Sequence, residues 1–191
     1  MTAMAPIEST SARNALLTAS EFVSRYATVH AELDRGIVKE FPMPTPEHGY
    51  ICMTISGLLW NRVRERDLGR VMTNDSWIQT RRSPDSVRGA DVCYFSYERQ
   101  PRGKLPRGLL TAVPELVVEV RSPSDRWADI FPKIGEYLAA GVIVVVVIDP
   151  ITETVSVYSE VVCQEILHID DTLTLPDVLP GFSVPVRFLF E

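Results

Sequence analysis

The stretch VIVVVVID, residues 142–149, restricts the fold more than any other part of the chain. Seven apolar residues without a polar interruption leave no side for solvent. Such a run reads as a central strand covered on both faces. Gly141 stands directly before it and stops a helix that the sequence SPSD, residues 122–125, starts and that runs to about Ala140. Ahead of that helix, residues 115–121 form a second interior strand, with Leu116, Val117, Val118 and Val120 as its apolar middle. A sheet with helices on both faces follows.

The rest of the chain fits this frame. Thr18-Ala19-Ser20-Glu21 has the spacing of a capping box and opens a short helix to about Tyr26. Residues 31–41 form a hairpin around Arg35-Gly36. Within 43–69, Ile51, Ile55, Leu58 and Leu59 recur at helical spacing between Pro46 and Gly69. RVMTN, WIQTR and ADVCYFS read as three strands, and a polar loop from Tyr97 to Gly108 follows. TVSVYS and VVCQEIL suit a later hairpin, and RFLF a short final strand. The expected class is α/β or α+β, a mixed central sheet flanked by helices. Residues 1–17 read as a flexible leader and 18–191 as a single domain.

Several function classes fall away. The longest apolar run, Leu138 to Ile148, is about half a membrane span, and no basic segment introduces a secretory signal. Cys52, Cys93 and Cys163 are widely spaced without a paired-ligand pattern, and read as small core hydrophobes in a reducing cytoplasm. No GxSxG elbow, P-loop or Rossmann glycine pattern occurs. The net charge of −6 is unevenly placed: residues 60–107 hold eleven Arg or Lys against six acids, a local +5. Arg62, Arg64, Arg66 and Arg70, with Arg99, Arg102, Lys104 and Arg107, form either solvated faces or a phosphate-backbone surface beside the site.

Chemistry enters with two acids set against apolar strands. Glu119 interrupts Leu116-Val117-Val118 and Val120, and Asp91 precedes Val92-Cys93-Tyr94-Phe95. A buried carboxylate costs several kcal/mol unless paired. Two such acids converging from neighbouring strands suit a hard divalent cation, which would supply the counter-charge Glu119 lacks. On the helix that follows, Lys133 lies about 40° outside the apolar arc of Trp127, Ile130, Ile134, Tyr137 and Leu138. Its ammonium can reach back to the acids and stabilise developing negative charge.

VRGADVCYFS, PELVVEVRSPSD, the following Lys133, VIDP and DDTLTLPDVLPGFSVPV resemble the Uma-type restriction endonuclease family of the PD-(D/E)XK nuclease superfamily. The resemblance implies a restriction-endonuclease-like fold and a Mg2+-dependent endonuclease, with Mn2+ able to substitute, that hydrolyses phosphodiester bonds in DNA as a homodimer. It makes Asp91 and Glu119 the catalytic, metal-holding acids and Lys133 the lysine, moved from the strand onto the next helix. The superfamily's further helical acid would be Glu47 or its neighbour His48. Glu47 either faces the site or only answers the helix macrodipole, and His48 either contacts a scissile phosphate or caps a buried turn. Arg88, Arg102, Lys104 and Arg121 are the expected phosphate contacts.

The chain departs from the family at two points. Ala90-Asp91 stands where Pro-Asp is usual, while a literal Pro84-Asp85 lies in turn-like sequence with no strand behind it, so Asp91 is preferred. Arg121 takes the superfamily's usual lysine position and shares a strand face with Glu119, where it either contacts phosphate or neutralises that acid. The rival functions are a catalytically inactive nuclease-fold scaffold and a phosphoesterase for small substrates.

Overall fold

The computed structural model describes residues 16–110 and 112–191. The expected leader lies outside these residues apart from Leu16 and Leu17, and the Leu17 N–H donates to the Gly36 carbonyl (2.9 Å). Three α-helices, α1 (Ala19–Arg25), α2 (Pro46–Glu65) and α3 (Trp127–Ala139), accompany ten strands. An eight-stranded sheet has the order β2 (Ile37–Glu40), β1 (Ala31–Asp34), β4 (Ser86–Ser96), β5 (Leu116–Val120), β6 (Val144–Asp149), β7 (Thr154–Ser159) and β8 (Glu165–Leu167), with β3 (Gly69–Arg81) also on β4. A small ribbon joins β9 (Thr172–Thr174) to β10 (Ser183–Pro185).

All six residues of β6 are buried, between parallel β5 and antiparallel β7. Strand parity sorts its neighbours between two cores. Val118 and Val146 pack with Ile51, Ile55, Leu59 and Val63 of α2 on one face. Val117, Val145 and Val147 pack with Ile134 and Tyr137 of α3 on the other. Each fully buried aliphatic side chain contributes roughly 1.5–3 kcal/mol, so the two helices are held against the sheet from opposite sides.

Local chemistry explains the element ends. Thr18 and Glu21 form the expected capping box of α1. Thr45 caps α2 through the His48 N–H, with Pro46 in its first turn. The β1–β2 hairpin turns at Arg35 (φ 50°) and Gly36 (φ 82°), which lets two strands meet in a two-residue turn.

Three sequence readings are corrected. RVMTN and WIQTR are one strand, β3, interrupted by a bulge between Thr73 and Ser76 where Asn74 and Asp75 have positive φ. The helix α3 begins at Trp127, because Ser122–Asp125 closes into a turn with the Ser122 N–H on Asp125 Oδ2 (2.8 Å). RFLF lies in a 3₁₀ turn over Val186–Leu189.

The feature that positions the site is a split strand edge. One edge of β4 pairs with β3 along most of its length. Its other edge is shared: β1 takes Val87 through Leu33, and β5 takes Val92 to Tyr94. Residues 88–91 fall in the fork between β1 and β5, where no ladder closes over them. A buried backbone group needs a partner, so side chains must supply what a strand would otherwise give.

Candidate active site

Glu32 of β1 and Lys133 of α3 stitch the fork. Glu32 Oε1 accepts from the Gly89 N–H (3.1 Å), and Lys133 Nζ donates to the Gly89 carbonyl (3.4 Å). Just inside the fork, Asp91 Oδ2 accepts from the Val120 N–H (2.7 Å). Continuing the β4–β5 register one step past Val92 and Val118 sets Asp91 opposite Glu119. The two acids expected to meet therefore stand across from one another where their strands separate.

The partners of Glu119 are protein groups. Lys133 Nζ is 2.9 Å from its Oε2, and the Tyr137 hydroxyl donates to its Oε1 (2.7 Å). Lys133 is also 2.8 Å from Glu32 Oε1, so one ammonium serves two carboxylates. Burial, with Asp91 and Glu32 adding negative charge against the pull of Lys133, pushes the Glu119 carboxyl up to about 8. Burial alone would lower Lys133, but Glu119 and Glu32 outweigh it and hold the ammonium protonated. Arg121, considered at the sequence level as the group neutralising Glu119, pairs instead with Asp149 (2.7 Å) and donates to the Asp125 carbonyl. It still lines the cleft.

On the α2 side, His48 Nε2 lies 3.3 Å from Asp91 Oδ2. The hydrogen bond to Asp91 outweighs burial and raises the His48 pKa above its ordinary value. Cys52, one helical turn on, has its Sγ 3.5 Å from His48 Nδ1. Glu47 does not reach the site: it is exposed and outside the cleft lining, because the 100° helical step that buries His48 turns its neighbour to solvent. Asp85 is likewise elsewhere, capping α1 through the Ala19 N–H (2.8 Å).

The cleft has a volume of about 630 Å3 and also takes in His30, Glu32 and Asp75. The β3 bulge carries Asp75 to it, lodged against Gly89, where an added Cβ would lie 3.1 Å from Asp75 Cβ. Burial first, then Asp91, raises the Asp75 pKa. Asp75, Asp91, Glu119 and Glu32 thus gather around Lys133 and His48. The Asp91 Oδ1 atom accepts no hydrogen bond among the described residues. Clustered oxygen donors and an open carboxylate oxygen fit a hard divalent cation.

Arg88 is no phosphate contact. It is buried, and its guanidinium is shared by Glu32 (3.1 Å), Asp34 (3.3 Å) and Glu136 (2.7 Å). The basic clusters are also displaced. Arg99 binds the carbonyls of Val113, Pro114 and Gly141, at the start of β5 and the end of α3. Arg102 pairs with Asp67 and stacks on Tyr97, and the Arg70 guanidinium donates to the Gly103 carbonyl (2.6 Å). β4 ends at Ser96, five residues beyond Asp91, so loop 99–107, including Lys104, begins beyond roughly 17 Å of extended strand. Arg62, Arg64 and Arg66 stand at the C-terminal end of α2, about four to five turns from His48. Lys39 and Arg126 are the exposed cations that line the cleft itself.

Sequence reasoning missed Glu32, Asp75, His30 and Cys52. The first three depend on long-range contacts: His30 Nε2 lies 3.6 Å from Asp75 Oδ1, for instance. Cys52 had a legible signal, its four-residue spacing from His48, which puts both on one helix face.

A mixed sheet with helices on both faces and a forked strand edge lined with acids and a lysine is a restriction-endonuclease-like architecture. A solved structure described as "a putative nuclease belonging to DUF820" from Anabaena variabilis ATCC 29413 superposes with a TM-score of 0.79 at 21% identity, over 91% of this chain and 97% of that one. Residues 19–187 match the model of the Uma2 family, described as "Putative restriction endonuclease", and the chain belongs to that family. Comparison with curated proteins found no match. No helix among the described residues is long and apolar enough to cross a membrane.

Proposed function

We propose that this chain is a divalent-cation-dependent endonuclease that hydrolyses phosphodiester bonds in DNA. The observation carrying the reading is Lys133 Nζ, 2.9 Å from Glu119 Oε2, in an acid-lined fork that also holds Asp91. Asp91 and Glu119 would hold the cation, Mg2+ or Mn2+; when bound, it polarises the phosphate and makes water a better nucleophile. The open Asp91 Oδ1 supplies one ligand, while Val120 N–H and His48 hold Oδ2 and fix the carboxylate. Lys133 brings a fixed positive charge to the point where phosphate charge builds up. His48, whose pKa Asp91 raises, adds a second when it is protonated. Tyr137 keeps Glu119 in one rotamer, since its hydroxyl donates only to that carboxylate. DNA as substrate and the homodimer are carried by the family resemblance, and the cytoplasm by the widely spaced cysteines.

Supercoiled plasmid with Mg2+ or Mn2+ tests the reading. Nicking by the wild type should vanish in Asp91→Ala and in Glu119→Gln, and equal nicking by all three would refute it. The rival, an inactive scaffold, draws on Glu119 having a hydrogen bond at both oxygens already. Calorimetric Mn2+ binding that Glu119→Gln abolishes would count against that rival.

A further inference from the structure

We propose a second metal site in this cleft, for a thiophilic ion such as Zn2+ or Co2+, formed by Cys52, His48 and Asp91. Cys52 Sγ, a His48 ring nitrogen and an Asp91 carboxylate oxygen all lie within 4.8 Å of one another. The fit is close for the helical pair. Metal bonds of about 2.0 Å to nitrogen and about 2.3 Å to sulfur at a tetrahedral angle require an N–S separation of about 3.6 Å. His48 Nδ1 and Cys52 Sγ are 3.5 Å apart.

The position is built into rigid elements. His48 and Cys52 stand one turn apart on the same face of α2, whose start is fixed by the Thr45 cap. Asp91 is anchored on the Val120 N–H (2.7 Å). Three protein donors leave a fourth tetrahedral position open to the cleft, where water or a phosphate oxygen can bind.

The donor set selects its ion. Sulfur and imidazole ligands favour Zn2+ and Co2+ over Mg2+, which takes oxygen. Binding replaces the S–H bond of Cys52 with a sulfur–metal bond and, where His48 is protonated, the N–H bond at its ligating nitrogen with a nitrogen–metal bond, and the protons leave to water. Burial keeps the free thiol protonated, so proton release accompanies loading. Asp91 belongs both to this site and to the proposed nuclease centre. A thiophilic ion therefore withdraws that carboxylate from the hard cation, which makes the cleft sensitive to zinc.

The test is optical and needs no nucleic acid. Co2+ added to the reduced full chain should produce the near-ultraviolet sulfur-to-cobalt charge-transfer band, removed by Zn2+ and unaffected by excess Mg2+. Cys163 is exposed and can give the same band, so Cys163→Ser is titrated beside the wild type. The band should persist there, disappear in Cys52→Ser and weaken at least tenfold in His48→Asn, with far-ultraviolet circular dichroism verifying that each variant is folded. Absence of the band in wild type, or its survival in Cys52→Ser, overturns the proposal. Failure of plasmid nicking would leave the spectrum standing, and a missing band would leave nicking untouched, so the two readings fall separately.

Discussion

Replacing Lys133 with methionine isolates the electrostatics of the fork. The stem is nearly isosteric, so packing is kept while the ammonium is lost. That ammonium contacts Glu119 at 2.9 Å, Glu32 at 2.8 Å and the Gly89 carbonyl at 3.4 Å. Glu32 is buried and Glu119 mostly so, with side chains 8% and 14% exposed, so neither is freely hydrated. Afterwards Glu32 keeps Arg88 and the Gly89 N–H, but Glu119 keeps only the neutral Tyr137 hydroxyl. Removing one partner of a buried pair costs about 3–5 kcal/mol, a large part of a typical domain's total. Well above pH 8, where Glu119 is ionised, the melting temperature of a chain of this length should fall by roughly 10 °C or more.

The pH dependence gives the sharper check. The folded-state pKa of Glu119, already about 8, rises further without Lys133. A carboxyl raised above its unfolded value of about 4.3 contributes stability that is complete below that value and lost as pH rises through the folded one. The deficit of Lys133→Met should therefore stay small from pH 4.5 to about pH 8, where Glu119 is protonated in both folded proteins, and grow as pH rises further. Urea titrations of both proteins at the two ends measure it, and adding Glu119→Gln should recover much of the loss. A deficit that does not grow as pH rises past about 8 would refute Lys133 as the counter-charge.

Other outcomes follow from the same geometry. His48 should titrate above its ordinary value, so its contribution to stability is complete below about pH 6.5 and lost as pH rises through the folded value; in Asp91→Asn its NMR titration should move back down, and an unmoved curve would deny the contact. Arg88→Met should destabilise by about 3–5 kcal/mol in denaturant titration, since three acids share that buried guanidinium. Arg102→Ala, breaking an exposed pair, should cost less than about 1 kcal/mol in the same assay. Gly69→Ala drives a methyl into the Phe95 carbonyl at the start of β3, and should lose about 2 kcal/mol or shift the β3–β4 register seen by hydrogen exchange.

The parts legible in the sequence were those set by local pattern. The apolar run 142–149 announced β6, Thr18 and Glu21 announced the start of α1, and an acid within each of two apolar strands announced Asp91 and Glu119. Lys133 was found by counting angles around a helix. What could not be read depends on which segments meet in space. Asn74-Asp75 looks like a turn between two strands, and only the partner strand turns it into a bulge that delivers Asp75 to the cleft. Glu32 sits in an ordinary hairpin sequence until β1 and β5 divide the edge of β4. Local charge counting found the arginines but not their end of the sheet, because basic composition carries no direction.

The divided edge of β4 also ties chemistry to folding. In most enzymes catalytic groups decorate loops that can be altered while the scaffold stands. Here Asp91 and Lys133, groups proposed to act on phosphate, also close backbone hydrogen bonds that two neighbouring strands leave open. Any relative that discards the chemistry must still fill those bonds, so loss of activity by drift should leave polar, shape-matched residues at these positions rather than alanine.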